Sequence, residues 1–167
     1  MKTVAVMLAA AMAAYASFAE SYYVVTTTDF LGNKSFKTMT RDQVKETQAK
    51  IKRENSALPK VLNAIKRDFA ANPEAHEGEK FYGGKLKPRT FKQNGPFSDY
   101  EKAQEKTDRF QNREDEKLLE KEKESDMRKL SDREKEKRFD EAKKEEAINK
   151  FAEDVQKKID EMLGEKK

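Results

Sequence analysis

The sequence predicts a mainly α protein: a short N-terminal β-hairpin packed on an amphipathic helix, an irregular Gly/Pro connector, then long charged C-terminal helices. Three observations carry this. Residues 22–28 (YYVVTTT) are all β-branched or aromatic, the side chains that suit a pleated, half-buried surface. Apolar and amide residues recur at helical spacing from Val44 to Phe69. In residues 98–167, 43 of 70 side chains are charged, and Gly and Pro are absent from there until Gly164.

At the N-terminus, Lys2 precedes a small and apolar run, Val4 to Ala16, then Ser17-Phe18-Ala19. Thirteen residues are too few for the ~20 of a bilayer span. Positive start, alanine-rich run and small residues at the cleavage-determining positions make a secretory signal, cut after Ala19 or, second, after Ala16. The expected location is therefore periplasmic or secreted. Asn33-Lys34-Ser35 is a formal N-glycosylation sequon, relevant only to a eukaryotic secretory chain.

Residues 20–72 form the expected head. Strand 22–28 turns at Asp29-Phe30-Leu31-Gly32-Asn33 and returns through Lys34 to Met39, which alternates polar and apolar. A lone hairpin is marginal in water, so a helix has to cover it. Thr40-Arg41-Asp42-Gln43 is a capping box that starts one. Val44, Gln48, Ile51, Asn55, Leu58, Leu62, Ile65 and Phe69 then keep one stripe in line. Core packing is the expected use of the stripe. A coiled-coil dimer seam, with Gln48 and Asn55 selecting register, is the alternative and would make a homo-oligomer. Pro59 predicts a kink, or a restart capped by Ser56.

Residues 73–97 read as the connector, with Gly78, Gly83, Gly84, Pro88, Gly95 and Pro96 along it. Phe81 to Leu86 predicts a tight turn whose short arms join the hairpin. The segment is acid-free from Lys80 to Ser98, and Phe81, Tyr82 and Phe91 are interleaved with its cations, among them Lys85, Lys87, Arg89 and Lys92. Cations with interleaved aromatics suit an anionic partner. The plainer reading is a solvated loop whose aromatics pack on the hairpin.

Residues 98–167 begin with a second capping box, Ser98-Asp99-Tyr100-Glu101. From Gln111 to Arg138 the large apolar residues are only Leu118, Leu119, Met127 and Leu130, too few for a coiled-coil seam. A solvated helix follows. Phe139, Ala142, Ile148, Phe151, Val155, Ile159 and Met162 restore an apolar face that has to find a partner surface.

The chain has 167 residues, 36 basic and 32 acidic, one histidine and no cysteine. That excludes a disulfide-stapled miniprotein and any cysteine-dependent enzyme or metal site. After residue 19 only 43 of 148 residues are hydrophobic, a poor basis for a large enzyme core. No phosphate loop, nucleophile elbow or HExxH is present. His76, in PEAHEGE, reads as a solvated loop histidine. A metal held with Glu74, Glu77 or Glu79 has thin support, and no cofactor is expected.

The outline of export signal, small β element, long charged helices and no cysteine resembles the periplasmic holdase chaperones of the Skp/OmpH type in size and composition. No functional position is carried over. The expected function is an exported, non-enzymatic interaction or scaffold protein whose specific role the sequence does not state. A holdase clasping apolar clients between its two amphipathic helices is the first alternative. An anionic-ligand module using residues 80–96 is the second. The expected partner is another envelope or extracellular protein, or else an anionic polymer or lipid surface; export argues against nucleic acid.

Overall fold

The computed structural model describes residues 20–124 and 132–164. The predicted signal segment 1–19 lies outside them, as do Met127 and Leu130. Strands β1 (Tyr22–Thr28) and β2 (Lys34–Thr40) pair antiparallel with Thr28 opposite Lys34. A third strand, β3 (Phe91–Phe97), pairs antiparallel with the other edge of β1, giving the order β2-β1-β3. The end of the predicted connector is therefore sheet. The strand arms expected at 81–86 do not form; Gly83–Lys85 is a single 3-10 turn. Residues 81–86 instead commit Leu86 to the core, while 91–97 pair with the open edge of β1. At Gly95 the register shifts between the pairs made by Tyr22 and Val24. Its φ is +126°, and a Cβ there would lie 2.9 Å from the Tyr22 carbonyl oxygen, so only glycine fits this bulge.

Val24 and Val25 point to opposite faces of the sheet, yet both are fully buried. Both faces are therefore covered. Helix α1 (Arg41–Ala71) takes one face, where Thr47 Oγ1 donates to Met39 Sδ at 3.5 Å. Helix α2 (Tyr100–Glu124) takes the other, through a Thr38–Thr107 hydroxyl hydrogen bond of 2.8 Å and the ring pairs Tyr22–Tyr100 and Phe36–Phe110. Helix α3 (Asp132–Leu163) packs on α1. Ala152, Val155 and Ile159 join Ala57, Leu58, Val61 and Ile65 in one cluster, completed by Phe30 from the hairpin loop and Leu86. Burial thus extends well past residue 72.

The Thr40–Gln43 capping box forms as expected: Gln43 donates its backbone N–H to the Thr40 hydroxyl, and its side chain accepts from the Thr40 N–H. Pro59 does not divide the helix. It is exposed, its neighbours Leu58 and Val61 are buried, and their packing outweighs the interior proline cost of ~3 kcal/mol. Ser56 caps nothing; its hydroxyl donates to the Lys52 carbonyl at 2.9 Å. The buried stripe keeps Val44, Ile51, Leu58 and Ile65, but its second line runs through Glu54 and Val61. Gln48 is exposed, and Leu62 is half-buried. Asn55, expected as a polar seam position, bonds to the Arg89 backbone within the chain. At α2 the cap is Asp99, which accepts from the Glu101 N–H at 2.9 Å, one residue later than the predicted Ser98. A carboxylate at that position also suits the positive end of the helix dipole.

Candidate functional site

The seven residues singled out in the connector do not form one patch. Lys85 and Lys87 are exposed on the loop beside the core, where the Lys87 N–H donates to the Phe30 carbonyl at 2.8 Å. Phe81 and Tyr82 turn toward α3 and meet the Phe151 ring edge-on at 5.5 and 6.2 Å between centroids. Phe81 also meets Phe69 of α1 at 6.1 Å. Phe91 and Lys92 are successive strand residues and point to opposite faces. Phe91, opposite Thr27, is half-buried on the α1 side; Lys92, opposite Thr26, is exposed on the α2 side.

Arg89 is an internal residue. Its guanidinium pairs with Glu54, which is completely buried. Its Nε donates to the Thr28 carbonyl at 3.2 Å. Asn55 brackets its backbone: Nδ2 donates to the Arg89 carbonyl at 2.9 Å, and Oδ1 accepts the Arg89 N–H at 2.8 Å. Gln156 of α3 donates to Glu54 at 3.4 Å, and Lys50 stands 4.0 Å away. Arg89 therefore ties the loop before β3 to β1 and α1, and its partner Glu54 carries the link on to α3. In the sequence Arg89 reads as a surface cation because nothing nearby is acidic; its partner is 35 residues upstream.

The cations that do gather lie on α2. Lys102, Lys106, Arg109 and Arg113 follow one another at helical spacing and, with Glu105 and Phe110, line a shallow groove of about 350 Å³. Lys92 and Asn94 of β3 point to the same side, since Val24 and Thr26 opposite them face α2. Lys106 Nζ sits 5.3 Å from the Phe97 ring centroid and 5.9 Å from that of Phe110, and so covers both rings. Arg109 Nη2 pairs with Glu105 Oε1. Among the described residues no carboxylate is within ion-pair reach of Lys92, Lys102, Lys106 or Arg113. The signal was visible in the sequence as an i, i+4, i+7, i+11 series inside a run that reads as a generic solvated face. Further along, Lys34 of β2 holds Glu114 at 3.0 Å and keeps its carboxyl below the usual range.

His76 is not a solvated loop histidine. It stacks on Phe69, with centroids 4.0 Å apart and planes 9° off parallel. Nδ1 lies 3.0 Å from Glu79 and Nε2 3.2 Å from Asp68. The Glu79 hydrogen bond, then that to Asp68, raises the imidazole pKa above 6.5 against an opposing desolvation. Asp68 is lowered below 3.8, first by its hydrogen bond from Asn72 and next by His76. Among the described residues, no group of three or more His, Cys, Asp or Glu side chains is arranged to hold a metal ion. Nor, among them, is any helix long and apolar enough to cross a membrane.

No protein-family model, curated protein or solved structure matches this chain.

Proposed function

We propose that this protein is an exported, non-enzymatic interaction protein in which a folded head presents two charged helical arms. The observation that carries this reading is the reach of α2 and α3 beyond the head. In α2 the last sheet-side contact is Glu114 with Lys34, and residues 115–122 are all exposed. In α3 residues 133–146 are exposed apart from half-buried Arg138, before Ala152 enters the core. These exposed segments carry Leu118, Leu119 and Phe139, each more than half exposed. An apolar side chain on a charged arm gains free energy only when something else covers it. By contrast, the completely buried charge, Glu54, is fully engaged in holding the head together.

The amphipathic faces of α1 and α3, which the holdase reading needed for clients, cover each other. The arms remain as the client or partner surface. The test is site-specific photo-crosslinking in the producing cell, with the reactive side chain placed at Leu118, Leu119 or Phe139 and, as control, at exposed Lys60. The expected result is discrete crosslinked species from the arm positions and none from Lys60. Silence at all three arm positions would overturn the reading.

A further inference from the structure

The geometry points to a second binding surface, the basic face of α2 with the edge of β3, as a site for an acidic polysaccharide. This goes beyond the interaction reading, which concerns the arms, and it stands on different residues. Lys102 and Arg113 are eleven residues apart, so the row of four cations runs ~17 Å along the helix axis. Lys92 of β3 is a further cation on the α2 side of the sheet. A row of cations along a groove, all but Arg109 without a carboxylate partner among the described residues, matches a chain-like anion and is screened by salt.

Three features select the sugar over other anions. The aromatic rings at the site, Phe97 and Phe110, lie under the Lys106 ammonium, whereas single-stranded nucleic acid needs open rings on which its bases stack. The groove lining includes no exposed apolar side chain, whereas an interfacial helix inserts one into a lipid surface. Finally, Glu105 sits inside the cation row, where one of its oxygens holds Arg109 and the other is left to accept a further hydrogen bond. A carboxylate there repels a bare polyanion, but it accepts hydrogen bonds from hydroxyl groups, which a uronic-acid sugar carries beside its own carboxylate. Asn94, half-buried on the same side of β3, adds an amide that both donates and accepts.

The experiment titrates the chain from residue 20 onward with a fluorescent oligogalacturonate at low and high salt. Parallel titrations use phosphatidylglycerol-containing vesicles, oligo-dT and a poly-Glu peptide. The expected result is salt-sensitive binding of the oligogalacturonate, stronger than that of the other three. Lys102→Glu with Arg113→Glu weakens it at least tenfold, while Lys85→Glu with Lys87→Glu changes it less than twofold. Glu105→Ala decides between sugar recognition and charge alone. It weakens binding several-fold if the carboxylate accepts sugar hydroxyls, and tightens it if charge is all that matters. Tightening, an unaffected double reversal, or stronger binding of vesicles, oligo-dT or poly-Glu each overturns the inference. Circular dichroism checks each variant; if the double reversal loses helix, Lys102→Gln with Arg113→Gln replaces it. Failure here with arm crosslinks intact removes this surface alone, and loss of the arm crosslinks leaves it untouched.

Discussion

Replacing Arg89 by Met would leave the Glu54 carboxylate buried without its guanidinium partner. Glu54 has no exposure, and the Arg89 side chain is 22% exposed, so water cannot easily substitute. Removing one member of a buried pair costs ~3–5 kcal/mol. The low end applies, because Lys50 at 4.0 Å and Gln156 at 3.4 Å still face the carboxylate. With ~2–4 °C lost per kcal/mol at this chain length, ~3 kcal/mol lowers the melting temperature by roughly 6–12 °C. The backbone bonds to Asn55 survive, so the loss isolates the side chain. Thermal melting followed by circular dichroism measures it. Glu54→Met combined with Arg89→Met then recovers most of the loss, since an apolar pair of similar volume no longer buries a charge. A single variant melting within about 2 °C of the parent, or a double variant worse than the single, would refute the pair as the tie between loop and helices.

Ile159→Ala opens the interface between α1 and α3 and should cost ~2–5 kcal/mol, whereas Met162→Ala, at a side chain half exposed, should stay within ~0.5 kcal/mol; urea unfolding separates them. His76 is the single histidine, so its imidazole resonances titrate without overlap and should report a pKa above 6.5. Because that pKa is raised by folding, its stabilisation is complete below 6.5 and fades as pH climbs through the folded value. Asp68 is lowered, so its share is present above 3.8 and is lost as pH falls through its folded value. The parent should therefore gain most over His76→Phe between those limits, and a stability difference independent of pH would contradict the pairing of His76 with Asp68 and Glu79. Mass spectrometry of the exported product should show a chain beginning at Glu20 or Ser17, and retention of Met1 would rule out the signal reading.

The parts of the fold written in local pattern were legible. Thr40 and Gln43 announce α1, and Val44, Ile51, Leu58 and Ile65 mark its inner line. The face formed by Val155 and Ile159 had to dock, although the sequence did not say that α1 was its partner. What escaped depends on pairing across distance. Lys92, Asn94 and Pro96 do not resemble strand residues; β3 exists because β1 has an edge to satisfy. Glu54 occupies a core line because Arg89 reaches it, so the stripe rotates toward a charged residue that hydrophobic periodicity would never select. The same contact withdrew Arg89 from the expected anionic site. Two separate groupings emerged that sequence spacing had merged or passed over: an aromatic cluster around Phe81, Tyr82 and Phe151, and the cation row on α2.

On the proposed function, the exposed apolar side chains of the arms serve a partner and not the fold. Leu118→Asp, Leu119→Asp and Phe139→Asp combined test that directly, with melting and arm crosslinking measured on the same variant, the photo-reactive side chain now at exposed Glu120 of the arm and its crosslinks first recorded with the three side chains intact. The expected result is a melting temperature within about 2 °C of the parent, as for exposed substitutions, and loss of the crosslinked species. A drop of more than about 5 °C would mean that these side chains hold the molecule together, and crosslinks that persist would mean that the arms are not the surface a partner uses.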